Sequence, residues 1–290
     1  MTSSLLSASQ LLRLRLGILL SWPMVALLGL SAVPFILLLR ISIAPHDPDG
    51  MWLPGVTFHA YGALVEPELL GALLDSIQMA IIVGAISVAL GFPLTFLITR
   101  MRRRLQVVWL VFLLTTLSLS DVLIAFSWQV MLSKRIGLSN IFVALGLMSA
   151  PESLTPSSGA VIACLVYLVL PFTVLTLFPV LSRLNYDLIE AARTLGASPL
   201  RAFASVVVPM TKGPAMIAFV MAVVLTVGTY VPPVVLGRPQ HWPMAVLIGS
   251  TALAGHDLPR ASAMSILLLA ATVLLAIGAA QAARMRVEKS

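Results

Sequence analysis

The sequence has little charge. Asp, Glu, Lys and Arg make up 10% of its 290 residues, against roughly 25% in a soluble domain, while hydrophobic residues make up 59%. A soluble fold of this length has too little interior to hide so much apolar surface, whereas a bilayer accepts that surface on the outside of the protein. The composition therefore excludes an ordinary soluble domain and implies an integral membrane protein. Cysteine is nearly absent. The single Cys164 rules out an internal disulfide and any multi-cysteine metal site, and its apolar neighbours in sequence make it a core thiol. The four histidines show no His-x-x-x-His spacing, so no metal site is expected. Lysine occurs only at Lys134, Lys212 and Lys289, and none closes a Gly-x-x-x-x-Gly-Lys-Ser/Thr phosphate loop. No ATP hydrolysis, catalytic residue or bound cofactor is expected of this chain.

Long apolar runs are plentiful. Six stretches are long enough to span: Leu16–Leu39, Leu73–Thr99, Leu105–Met131, Ser158–Leu181, Pro214–Leu236 and Ala261–Ala283. In lipid such runs must be helical, because an isolated strand would leave its backbone groups unpaired. The first run follows Arg13 and Arg15 as a signal peptide would, but its 24 residues exceed the roughly 7–15 of a signal-peptide core, so it reads as a retained span. With both termini inside, thirteen basic residues face the cytoplasm, among them Arg100, Arg102, Arg103 and Arg104, and five face outward (Arg40, Lys134, Arg135, Arg238, Arg260). The positive-inside rule selects that orientation. It also accounts for the excess of 18 Lys+Arg over 11 Asp+Glu without nucleic acid. The expected organisation is a cytoplasmic segment 1–15, a six-span all-α membrane domain 16–283 and a cytoplasmic tail 284–290. Of the external segments, Ile41–Ala72 carries Asp47, Asp49, Glu66 and Glu68; Leu132–Ser157 contains Pro151 and Pro156; Gly237–Arg260 holds the apolar stretch Pro243–Leu253.

The internal loop 182–213 is long for a helix connection, where about 2–8 residues are usual, and loops of that length tend to be functional. Asp187 and Glu190 have the spacing of a capping box, and Leu188, Ala191, Ala192 and Leu195 share a helical face. Gly196 suits a C-terminal cap. Ser198 and Pro199 fit the N-cap and first position of a second short helix, which Pro209 is expected to stop. The small residues Ala191, Ala192 and Ala197 would allow another surface to approach closely. Such a helix pair either docks a partner or lies along the lipid headgroups.

Glu190-Ala191-Ala192, three residues, Gly196, nine residues, then Val206-Val207-Val208-Pro209 resembles the Glu-Ala-Ala…Gly…Ile-x-Leu-Pro signature of binding-protein-dependent ABC importer permeases, with Val in place of Ile and Leu. The spans resemble the spermidine/putrescine-type members, especially Val166–Phe172 and Leu188–Ser198; Leu117–Val130 departs from them. The resemblance implies the type I, MetI-like importer permease fold in a bacterial inner membrane. It implies that the loop is a coupling helix seated in a cytoplasmic ABC ATPase, through Glu190, Ala191, Ala192, Gly196, Ala197, Leu200, Phe203 and Pro209. ATP and Mg would be used by that ATPase dimer. A second permease subunit, forming a heterodimer, and a periplasmic solute-binding protein complete the implied assembly. The implied cargo is a small solute, a polyamine or other cationic or organic nitrogen compound, with a sugar, phosphonate, opine or inorganic ion as alternatives.

Asp121 is a lone carboxylate within a span, where ionisable groups face a cavity or a structural partner. If it lines a path, a cationic solute fits better than an anion. Ser118, Ser120, Trp128 and Gln129 are expected on its helix, and Tyr167, Thr229 and Tyr230 are further candidates for the path. A secondary transporter would carry more intramembrane charge and an internal repeat, and an intramembrane enzyme would pair its catalytic groups. Neither pattern is evident.

Overall fold

A computed structural model describes residues 8–47, 52–134, 137–146, 149–150, 152–185 and 187–288. Asp49, Arg135, Pro151 and Lys289, with residues 1–7 of the N-terminal segment, lie outside the described residues. In chain order the α-helices are α1 (Ala8–Ser42), α2 (His59–Gly62), α3 (Pro67–Thr99), α4 (Arg103–Leu117), α5 (Asp121–Met131), α6 (Leu138–Ala144) and α7 (Ser158–Leu181). They continue with α8 (Asp187–Thr194), α9 (Pro199–Ala202), α10 (Val208–Met210), α11 (Lys212–Val227), α12 (Val231–Leu236), α13 (Met244–Leu253) and α14 (Leu258–Glu288). No strand occurs among the described residues.

By compactness the chain divides into two units, Met1–Leu64 with Thr251–Ile266 and Val65–Ser250 with Leu267–Ser290. In the first, the segment after α1 is tied back by side chains. The Arg40 guanidinium donates to the Gly55 carbonyl at 2.9 Å and lies 5.8 Å from the Trp52 ring centre. Ser42 and Tyr61 share a hydrogen bond of 2.9 Å, and His46 lies 3.6 Å from the Asp257 carboxylate. Residues 23–37 of α1 are exposed throughout, an apolar surface suited to lipid.

In the second unit α3, α7 and α11 pack into a core. Ala80, Gly84, Ser87 and Gly91 recur on one face of α3 and are all buried, so neighbouring helices come close, as small residues permit in membrane bundles. A Cβ on Gly91 would lie 2.8 Å from Thr173 Cγ2, and one on Gly84 would lie 3.0 Å from Val223 Cγ2. Cys164, Leu165, Val174, Leu177 and Leu181 on α7 are fully buried. Ser157 caps α7, accepting the Ala160 N–H at 3.1 Å.

Four helices among the described residues are long and apolar enough to cross a membrane, Pro23–Ser42, Pro67–Thr99, Ser158–Leu181 and Leu258–Ala279. Two bent pairs, Arg103–Leu117 with Asp121–Met131 (95°) and Pro199–Met210 with Lys212–Val227 (76°), bring the number to six if each is one span. The expected third span is thus not one continuous helix. Thr115, Thr116 and Ser118 return their hydroxyls to the carbonyls of Val111, Phe112 and Leu114, and Ser120 takes the N-cap position of α5. Hydroxyls that donate to the carbonyl four residues back favour a bend in a helix, and Ser120 makes no side-chain cap bond to α5. Ser118 and Ser120 therefore lie in the break and do not share a helix with Asp121. The expected fifth span also divides, α11 ending before Gly228 and α12 starting at Val231.

Candidate functional site

The loop after α7 folds as two short helices around a glycine. Gly196 has φ +91°, with its N–H on the Arg193 carbonyl at 3.0 Å and the Ala197 N–H on Ala192 at 3.1 Å. Glycine occupies this left-handed position without a Cβ penalty. Ser198 caps α9, accepting the Arg201 N–H at 3.3 Å, and Pro199 follows at the first helical position. The start of α8 differs from expectation. Asp187 is the first residue of the helix, its own N–H donating to Asn185 Oδ1 at 3.0 Å, so Asp187 and Glu190 do not form a capping box.

Pro209 does not stop the second helix. Phe203–Val207 is π-helical and runs into α10, which contains Pro209. The wider turn relieves the clash that the proline ring would make with the carbonyl four residues back. The chain then bends at Thr211, whose hydroxyl donates to the Val207 carbonyl at 2.7 Å.

Apolar residues of the loop divide between two faces. Ile189, Ala202 and Val207 are buried with Phe92, Leu177, Leu181 and Ala218, and Ala192, Ala197, Phe203 and Val206 pack against that cluster. Leu195 is 88% exposed, Leu200 78% and Leu188 46%. Glu190, Ala191, Arg193 and Pro209 are exposed as well, and Glu190, Arg193, Gly196 and Pro199 border an open depression. Of the residues singled out from sequence, Glu190, Ala191, Gly196, Leu200 and Pro209 therefore lie on the open surface. Ala192, Ala197 and Phe203 turn inward, so the expected small-residue face is divided. Leu195, expected on one helical face with Leu188, Ala191 and Ala192, stands with Leu188 and Ala191 on the open surface, while Ala192 packs inward.

A second arrangement surrounds the break between α4 and α5. Asp121 opens α5, where a helix dipole favours a carboxylate. It lines a cavity of about 210 Å³ with Thr116, Leu119, Phe172, Leu225 and Thr229. A neighbouring cavity of about 370 Å³ shares Leu119 and adds Ser127, Trp128 and Tyr167, whose two rings lie 6.0 Å apart. The structure thus brings Asp121 to Thr229 and Trp128 to Tyr167. Ser118, Ser120 and Gln129 are exposed and line neither cavity, and the Tyr230 ring instead covers Gly249, where a Cβ would lie 2.5 Å from Tyr230 Cε2. Thr116, Leu119 and Phe172 were not expected at the site. They arrive there because the break reorients α5.

Known proteins share this architecture. The chain is 28% identical over 266 residues to the spermidine/putrescine transport system permease protein PotB of Haemophilus influenzae, covering 91% of this chain and 90% of that protein. The fold matches a solved bacterial ABC transporter involved in the import of the acidic polysaccharide alginate, with a TM-score of 0.69 at 16% identity over 94% of this chain and 99% of the other. It also matches the bacterial alginate ABC transporter in complex with an alginate pentasaccharide-bound periplasmic protein, with a TM-score of 0.67 at 16% identity, over 96% and 99%. Residues 82–287 fit the model of the binding-protein-dependent transport system inner membrane component. A match across most of the chain, on an all-helical frame with spanning helices, makes this protein a member of that family, the membrane-embedded permease subunit of an ABC importer.

Proposed function

We propose that this permease passes a cationic solute, a polyamine or similar organic amine, from a binding protein to the cytoplasm, driven by a separate ATPase that seats on Glu190–Pro209. The observation that carries the docking assignment is the open face of this loop, where Leu195 and Leu200 stand in solvent beside Glu190 and Arg193. Apolar side chains this exposed outside a span fit a protein cleft better than water. The matching signature spacing, Glu190 through Pro209, supports the same assignment.

The loop then lies in the cytoplasm with both termini, in agreement with the distribution of Lys and Arg. ATP and Mg belong to the ATPase dimer, and a second permease subunit completes the membrane half. Closure of the ATPase dimer would draw the coupling helices together and turn the spans between inward- and outward-facing arrangements as rigid bodies.

A cationic cargo is supported by Asp121 on a cavity wall, by the aromatic pair Trp128 and Tyr167 next to it, and by similarity to PotB over most of the chain. Aromatic faces and a carboxylate together suit an ammonium group. The test is a melting series on the cognate binding protein with spermidine, putrescine, sulfate and a neutral sugar. A ligand at a hundredfold its Kd stabilises by about 2.7 kcal/mol. Stabilisation by the amines supports the assignment, and stabilisation by sulfate or sugar alone refutes it.

A further inference from the structure

We infer that Phe203 is a positioning residue that locks the coupling helices to α3, and that α3 carries their movement to the external side of the permease. This inference rests on the docking of Glu190–Pro209 to the ATPase. Phe203 does not share the open face. Its ring sits 5.5 Å from Phe92 in an edge-on arrangement and 4.8 Å from Phe96 in a tilted one. The Arg100 guanidinium lies 4.4 Å from the Phe96 ring centre. Arg100, Phe96, Phe203 and Phe92 thus form one continuous stack; Phe92 and Phe96 stand on the last turns of α3, and Arg100 caps its C-terminal end.

Besides the link back to α7 and the buried cluster that Ile189, Ala202 and Val207 share with Leu177, Leu181 and Ala218, two routes leave the coupling helices. The covalent route runs through Thr211, where the chain bends by 76° before α11. Such a bend transmits displacement poorly unless packing fixes it. The packed route runs through Phe203, the first residue of the π-helical stretch, directly into α3. α3 continues unbroken for 33 residues, about 50 Å at 1.5 Å per residue. Along it, Gly91 and Gly84 hold α7 and α11 at close range. Near its far end, the Ser76 hydroxyl accepts the Met244 N–H at 2.7 Å, and Asp75 lies 3.9 Å from His241. One continuous helix, with Pro93 beside the aromatic contacts, therefore touches the coupling helices at one end and the start of α13 at the other. Close-packed elements of this kind move as units and do not deform continuously.

The test uses the full complex in lipid nanodiscs or proteoliposomes, with ATPase, both permease subunits and binding protein. Phe203→Ala is expected to retain the ATPase at wild-type stoichiometry. Stimulation of hydrolysis by loaded binding protein should fall by roughly 3- to 30-fold, the span of measured coupling effects, and more ATP should be spent per solute imported. Phe203→Leu, which keeps apolar bulk but loses the ring contacts, should show a smaller fall in the same two readouts. Phe203→Tyr should restore both, and Phe96→Leu combined with Phe203→Leu should add little to either single change.

Unchanged stimulation and stoichiometry in Phe203→Leu and Phe203→Ala would overturn the inference. Loss of the ATPase from the Phe203→Ala complex would overturn it too, because Phe203 would then belong to the dock. Should Phe203→Ala fail to accumulate in membranes, the Leu and Tyr variants decide by the same readouts. Failure of the docking assignment is read separately with Leu195→Glu, which should release the ATPase; retention there removes the dock without bearing on the aromatic stack.

Discussion

Ser76, on the first turns of α3, accepts the backbone N–H of Met244 at 2.7 Å while donating its own proton to the Ala72 carbonyl at 2.8 Å. Both residues are buried, and Met244 begins α13, so its N–H has no partner within that helix. One hydroxyl thus joins segments far apart in sequence. Ser76→Ala leaves the N–H buried and unsatisfied, which costs about 1–3 kcal/mol. The melting temperature of the purified permease should fall, with Ser76→Thr, which keeps the hydroxyl, falling less. Equal melting of the Ala variant and the wild type would show that the bond is not formed.

Gly196 tests whether the loop's shape matters apart from its contacts. A Cβ there would meet nothing within 4 Å in this chain, so within the permease its cost comes from φ +91°. A non-glycine residue in this region pays about 1–2 kcal/mol, asparagine less than most and β-branched residues more. Uptake should therefore decline in the order Gly, Asn, Ala, Val, with insertion into the membrane intact. A steric rather than conformational cause would instead rank the variants by side-chain volume, placing Asn below Ala.

Asp121 should matter to cargo and not to assembly. Asp121→Asn preserves shape and the ability to hydrogen bond while removing the charge. Losing a charged hydrogen-bond partner costs about 1.5–3 kcal/mol, so kcat/KM for amine uptake should drop by about tenfold or more. ATPase stoichiometry and melting temperature should stay near wild type. A large fall in melting temperature with uptake per folded complex unchanged would assign Asp121 to structure.

Membrane character and the loop signature were legible because each depends on residues near in sequence. Apolar run length specifies a span, and Ser198-Pro199 and Gly196 specify local caps that form as expected. The break ahead of Asp121 was less visible, since counting apolar residues across Leu105–Met131 ignores what hydroxyls do to the backbone. Ser118-Leu119-Ser120-Asp121 does carry cap residues in the right order, and that was the available signal. The two-faced nature of the loop was not legible at all. Whether Phe203 or Leu195 points outward is decided by Phe92 and Phe96, which lie far earlier in the chain and reach the loop only after α3 and α7 pack. Pro209 misled for a related reason, because a π-helical turn ahead of a proline leaves no pattern in the residue types themselves.

A photoactivatable thiol reagent at Leu195 tests most directly whether the loop seats in the ATPase. The native Cys164 is fully buried, so Leu195→Cys in a Cys164→Ala background presents a single accessible thiol. After assembly with the ATPase and illumination in native membranes, one dominant adduct is expected, between this permease and the ATPase, weakened when Gly196→Val distorts the loop. Adducts to lipid or to the second permease subunit, with none to the ATPase in an intact complex, would contradict that seating.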